Sequence, residues 1–296
     1  MLHNVIDEMP DKNFVVQLLE WNLRGVSQVI MANNPLSGAL ILGALVLSSP
    51  WLTLAASVGL LSSTLTTIIT GQESELYSQG LHGSNGFLVA LLMAVFSAKG
   101  DWFWWLLIPC CLAAVSCTII YGSLISLFEP MNLPLSVFPF NTILLLCLAA
   151  TRPHHRFFPH VPASPIGDAA QGEECVCPNE QGDIREHKGL CQVIPLGVSQ
   201  VFACDSLLSS FIIMLAITLF SPLVCLHALL GSITGMNAGL SLDVPHHSPY
   251  SGLTGFNGAL SSITIVESFD TNWRTHLFSV ASDWMIDSPT TFDVSL

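Results

Sequence analysis

Long stretches of this chain carry no charged side chain. Asp, Glu, Lys and Arg are absent from residues 25–72, 76–98, 102–128, 130–151 and 206–242. Several of these runs exceed the ~20 residues a helix needs to cross the hydrocarbon core. A bilayer offers the backbone no water, so such runs satisfy their own N–H and C=O groups as helix. The 296-residue chain therefore reads as an all-α integral membrane protein that crosses several times. Charged residues make up 10% of it, where a soluble protein carries about 25%. A soluble enzyme, a nucleic-acid binder and a disordered regulator are excluded. The net charge of −13 comes mostly from three polar segments, at the N-terminus, around Asp168 to Glu186, and in the last thirty residues. No polybasic patch offers itself to nucleic acid. The opening MLHNVIDEMPDKNFV lacks a basic n-region, so no cleavable signal is expected.

An internal repeat organises the chain. VSQVIMANNPLSGALI from Val26 returns as VSQVFACDSLLSSFII from Val198, 172 residues later. The same offset carries Ser49-Pro50 to Ser221-Pro222, Gly59 to Gly231, and GLHGSNG (Gly80–Gly86) to GLTGFNG (Gly252–Gly258). The expected organisation is a polar tail (1–15), a first membrane repeat (16–158), a polar loop (159–190), a partial second repeat (191–268) and a polar C-terminal segment (269–296). Membrane proteins with two related halves place their site between them. Spanning helices near 16–33, 37–56, 57–72, 102–128 and 130–151 give an odd number of crossings. The second copy then enters from the opposite side, and the repeats are inverted.

One element is too short to cross. Between the glycines and Asn of GLHGSNG and the closing Lys99-Gly100-Asp101, Phe87 to Ala98 supplies about 18 Å of helix. A re-entrant half-helix fits, its N-terminus aimed at the pathway; a bent or merely short helix is the alternative. GLTGFNG repeats the feature. Cys110, Cys111, Cys117, Cys147 and Cys225 lie in apolar runs as packing residues. Cys175, Cys177 and Cys191 sit in the polar loop, where a disulfide forms if that side is oxidising. Neither these nor His154, His155 and His160 keep a metal-ligand spacing, and no metal or cofactor is expected.

These motifs are specific. VSQV…NNPLSG, GLHGSNG, FSAKGDWFWWLL and LPLSVFPFN, with QVFACD, SPLVCLHALLGSITGMNAGLSL and GLTGFNG in the second half, resemble the urea transporters across residues 14–160 and 192–278. The resemblance implies passive, channel-like permeation of urea through a multi-pass protein of the plasma membrane. It implies ten helices and two re-entrant half-helices per protomer, one pore in each, and a homotrimer. It also implies slot walls of Val29, Leu88, Val201, Phe256 and Leu260, and a pore-lining loop-helix holding Pro134, Val137 and Phe140. The chemistry agrees. Urea is flat and uncharged, and stripping an amide-like group of water unpaired costs about 4–8 kcal/mol in an alkane-like medium. Gln28 and its repeat mate Gln200 offer amide oxygens, and glutamine in an apolar helix is expensive unless used. Helix–helix hydrogen bonding is the other use for them.

The chain departs from the family at Val137, where a Thr is usual, at Ser84, where an aromatic is usual, and at Met31, where Phe is common. Altered selectivity or rate is expected. A larger departure follows from the repeat. The mate of Pro134 falls beyond Leu296, and charges at Glu267, Asp270, Arg274, Asp283 and Asp287 interrupt each remaining apolar window. The sequence thus resembles a C-terminally truncated member with an incomplete second repeat. The alternative to conduction is a non-conducting subunit that joins mixed trimers with full-length relatives and modulates them.

Overall fold

A computed structural model of the chain describes residues 14–72, 78–97, 102–128, 138–151, 192–241 and 255–269, with isolated positions 135, 273, 275, 278 and 279. Pro134 and Val137, the polar loop with Cys175, Cys177 and Cys191, His154, His155 and His160, and residues 1–13 of the expected 1–15 tail lie outside these residues. So does most of the C-terminal segment.

The described residues are helical throughout, with no strand among them. Helix α1 (Phe14–Ser27) tightens into a 3-10 turn, Gln28–Ile30, and the chain then bends into α2 (Pro35–Ser48) and α3 (Pro50–Ile69). Next come α4 (Leu81–Val95), α5 (Leu107–Phe128), which a 3-10 turn Trp104–Leu106 introduces, and α6 (Phe138–Thr151). The second copy opens with α7 (192–199), a 3-10 turn Gln200–Phe202, α8 (Leu207–Phe220), α9 (Pro222–Ser241) and α10 (Gly255–Ser268). Both ends of α8 and of α9 lie 172 residues after those of α2 and α3.

Local chemistry sets these boundaries. Asn34 caps α2, its side chain accepting from the Leu36 N–H, and Pro35 follows at the first helical position. Ser49 ends α2 and caps α3 with Pro50 behind it. Ser221-Pro222 repeats the device, the Val224 N–H reaching Ser221 Oγ at 3.5 Å.

Three expectations about the elements change. The predicted helices 16–33 and 37–56 are a 17-residue and a 14-residue piece meeting at 78°, and their second-copy counterparts meet at 75°. The reason is the turn at Gln28–Ile30, which hydrophobicity alone does not register. The last predicted crossing, 130–151, is helical only from Phe138 among the described residues, about 21 Å long. Finally, the glycines and Asn of GLHGSNG belong to the half-helix itself, which starts at Leu81 after Gly80 in the left-handed region (φ 81°). Pro50–Ile69 and Trp104–Phe128 are long and apolar enough to span, and each bent pair passes as one broken span. Counting crossings therefore no longer decides how the copies are related.

Two hydrogen bonds relate one helix of each copy. Ser37 Oγ on α2 donates to the Ala216 carbonyl on α8 at 2.8 Å, and Ser209 Oγ on α8 donates to the Ala44 carbonyl on α2 at 2.9 Å. Ser37 and Ser209 are repeat mates, as are Ala44 and Ala216. The early part of each helix thus meets the late part of the other, so α2 and α8 run antiparallel across a local two-fold seam. Small residues and hydroxyls allow this close approach.

Each copy also seats its half-helix in the same way. Helix α4 packs on α3, and α10 on α9. A Cβ at Gly59 would stand 2.3 Å from the Gly86 carbonyl oxygen, and one at Gly231 would stand 2.3 Å from that of Gly258. Large apolar side chains such as Leu47, Leu65, Leu112, Leu146, Phe211 and Leu215 face outward, while Ser27, Ser63, Ser199, Ser210 and Ser262 are fully buried. That is the distribution expected of a protein solvated by lipid. Trp51, Trp102 and Trp104 cluster with ring centroids 5.9–6.0 Å apart, and Trp51 packs with Met93 and Ala94 at the end of α4.

The glycine contacts give the first test. Gly59→Ala or Gly231→Ala must displace a backbone carbonyl, and each should cost about 1–3 kcal/mol. Gly43→Ala, where no atom lies within 4 Å of the added Cβ, should be neutral or slightly stabilising. Thermal unfolding in detergent separates the two classes. Equal midpoints would contradict the seating described above.

Candidate functional site

Each bent pair is built around the end of its first helix. The Met31 N–H bonds the Gln28 carbonyl at 2.9 Å, and the Ala32 N–H bonds the Ser27 carbonyl at 3.1 Å. This paired closure is a Schellman motif, normally completed by glycine in the left-handed region. Here Met31 takes that role at φ 55°. The second copy repeats it with the Ala203 N–H to the Gln200 carbonyl, the Cys204 N–H to the Ser199 carbonyl, and Ala203 at φ 53°. A non-glycine residue held there costs on the order of 1–3 kcal/mol, and such strain gathers at functional positions. Gln28 and Gln200 therefore lie not mid-helix, as the apolar runs suggest, but at the first residue of a helix-ending turn.

The two turns meet common neighbours. Gln28–Ile30 packs against both α4 and α10, and Gln200–Phe202 packs against α10. Neither glutamine is fully exposed. Val29 and Leu88 belong to one buried apolar cluster with Phe202, Ala259 and Ile263, and Phe140 and Val201 pack on it from the side. Phe87 and Phe202 join the copies edge to face, with centroids 6.4 Å apart. Phe256 and Leu260 are half-buried on α10, on either side of Ala259. Gln28, Val29, Leu88, Phe140, Gln200, Val201, Phe256 and Leu260 thus occupy elements that touch one another or one shared cluster. Pro134 and Val137 fall outside the described residues.

The polar groups of the two turns differ. Gln28 Oε1 and Asn33 Oδ1 are buried without a hydrogen-bond partner, and buried acceptors of this kind are rare unless water or a ligand completes them. In the second copy Gln200 Nε2 donates to Asp205 Oδ1 at 2.5 Å. Asn33 and Asp205 are repeat mates that the sequence reading passed over. Writing the two turn segments one above the other shows the substitution. Near Gln28, Arg24 Nη2 is 2.9 Å from Glu20 Oε1, so the charges on α1 offset each other.

Helix α6 is tied to this region by Asn85. Its Oδ1 accepts the Phe140 N–H at 3.2 Å, and its Nδ2 donates to the Leu81 carbonyl at 3.1 Å. Phe140 is in the first turn of α6, where backbone N–H groups lack helical partners. Ser63 fixes the start of α4, donating to the His82 carbonyl at 2.7 Å and lying 2.6 Å from Thr118 Oγ1. Ser84, where the family usually has an aromatic, is buried and bonded back to the Leu81 carbonyl at 2.8 Å.

Fold and site together define a multi-pass helical membrane protein, made of two related copies with uncharged amides at their broken helices. A family model described as urea transporter matches residues 19–285. The chain is 41% identical over 274 residues to urea transporter 1 of Rattus norvegicus, covering 92% of this chain and 69% of that protein. It is 40% identical over the same length to urea transporter 1 of Mus musculus, and 39% identical to that of Capra hircus. The chain belongs to the urea transporter family.

Asn85→Leu leaves the Phe140 N–H without its acceptor and should cost about 1–3 kcal/mol. Asn141→Leu, on the exposed face of the same helix, should stay within about 0.5 kcal/mol. Thermal midpoints of the purified variants measure both. An unchanged midpoint for Asn85→Leu would remove that residue as the tether of α6.

Proposed function

We propose that the protein conducts urea passively, as a channel-like pathway through the plasma membrane, with Gln28 and Gln200 as two acceptor stations along it. The observation that carries this reading is the pair of strained, helix-ending turns, one from each copy, set against the same helix α10. Unpartnered acceptors at Gln28 and Asn33 suit a solute whose four N–H groups need acceptors as water is removed. Apolar walls at Val29, Leu88, Val201, Phe256 and Leu260 suit a flat, uncharged solute and offer hydrated ions nothing. Pro134, Val137 and Phe140 line the passage between the stations. Two-fold contacts between antiparallel α2 and α8 support inverted copies, with α4 and α10 as re-entrant half-helices. The family resemblance supports a homotrimer with one pathway in each protomer.

The test is urea flux into vesicles bearing the purified protein, followed by light scattering. Flux should exceed that of empty vesicles and should be indifferent to imposed sodium and proton gradients. Gln28→Ala and Gln200→Ala should each lower it roughly 3–10-fold, the equivalent of one hydrogen bond to a neutral ligand. Flux no greater than in empty vesicles would overturn conduction. If co-expression with a full-length relative then lowered the relative's flux, the modulating-subunit alternative would take its place.

A further inference from the structure

The Asp205 carboxylate stands where the first copy has the neutral Asn33, and nothing in the proposed pathway yet uses it. We infer that Asp205 is a positioning residue that fixes the orientation of the Gln200 amide. The inference rests on the proposed role of Gln200 as a urea station.

An amide side chain has an acceptor end and a donor end, interchanged by a half-turn about its last bond. Two amides facing each other allow either orientation of each. A carboxylate allows one. An ionised carboxylate only accepts, so the Gln200 NH₂ must face Asp205. At 2.5 Å from Gln200 Nε2 to Asp205 Oδ1, the contact is short and charge-assisted. The Gln200 carbonyl then points away from Asp205. A urea N–H arriving there meets an acceptor and is spared a donor–donor encounter.

The first copy supplies the contrast. Its turn has the same backbone hydrogen bonds and a left-handed residue at the equivalent position, yet Gln28 Oε1 and Asn33 Oδ1 are both buried without partners. One station is therefore held in a single orientation and the other is free to adapt. Asp205 itself is exposed, set in the break between Phe202 and Leu207, outside the buried apolar cluster that this turn packs on.

The experiment uses the full chain in vesicles, with the half-saturation concentration and the maximal rate of urea flux read separately. Asp205→Ala should raise half-saturation about 3–10-fold and change the maximal rate less than about 2-fold, as expected for the loss of one oriented acceptor. Asp205→Asn, an amide that like Asn33 allows either orientation of its partner, should raise half-saturation nearly as much as Asp205→Ala. In a Gln200→Ala background, Asp205→Ala should add nothing further, because its effect travels through that amide. The converse variant, Asn33→Asp, should clamp Gln28 and lower half-saturation. It keeps the inference testable even if Asp205→Ala fails to fold.

An Asp205→Ala protein with unchanged half-saturation would overturn the inference, as would an equal loss in the Gln200→Ala background or an Asn33→Asp protein with unaltered kinetics. Flux in the unmodified protein separates the two failures. Its absence defeats the urea pathway, whereas its presence with an inert Asp205→Ala defeats the positioning role alone.

Discussion

A helix that breaks inside a bilayer exposes backbone groups with no water to receive them, and the rest of this structure depends on how two such breaks are closed. Each is closed internally by a Schellman pair and a non-glycine residue forced into the left-handed region, Met31 in one copy and Ala203 in the other. The backbone bonds are satisfied at the expense of local strain. That strain persists only because the surroundings over-determine it. Gly25 and Gly197, three residues before each glutamine, lie so close to Gly83 and Gly255 on the half-helices that a Cβ on Gly25 would come within 3.4 Å of the Gly83 Cα, and one on Gly197 within 3.3 Å of the Gly255 Cα. The break, the half-helix and the side chain at the turn are consequently one unit, present twice.

Duplication sets the frame but leaves room for divergence. Backbone devices are shared across the 172-residue offset: the serine-proline joints, the glycine contacts, and the reciprocal serine-to-carbonyl bonds between α2 and α8. Side chains at the turns are not shared. Asn33 becomes Asp205, Met31 becomes Ala203, and Gly38, where a Cβ would collide with the Leu23 carbonyl, becomes Ser210, which lies 2.7 Å from Ser199 Oγ. Conformation is held by close backbone approach, which few residues tolerate. The polar chemistry of each station rests on one or two side chains and can change without disturbing the helices.

This division explains what the sequence could reveal. Helical membrane character followed from uncharged runs because a bilayer leaves the backbone no alternative. The two copies were legible because glycine, serine-proline and asparagine positions are held in register by those backbone contacts. Gln28 and Gln200 stood out as polar residues in apolar surroundings. Helix ends were harder. The sequence places the first break after residue 33, whereas the helix gives way at Gln28, because the residue in the left-handed region is Met31, which carries none of the signal a glycine would. The half-helix start at Leu81 was missed for the opposite reason, since Gly83 and Gly86 look like loop residues but serve as packing surfaces against Leu60 and Ser63. Asn85 was noticed only as part of a motif. Its bond to the Phe140 N–H links positions 55 residues apart, a distance no local pattern reports.

Symmetry and asymmetry then have separate physical tasks. If the chain conducts urea as proposed, equivalent turns related by the two-fold seam give the solute similar surroundings at successive steps. Identical stations would hold a solute equally well in either, and a solute held well is slow to leave. Making one amide fixed and its mate adaptable changes the depth of one well relative to the other without introducing a charge into the apolar walls. On the inferred role of Asp205, this is done from an exposed position at its turn, with the neutral Gln200 amide donating to its carboxylate. A buried carboxylate in the same place would have to be desolvated and would favour cations over a neutral solute. On the proposed reading, a charge placed outside the apolar cluster sets orientation without setting charge selectivity.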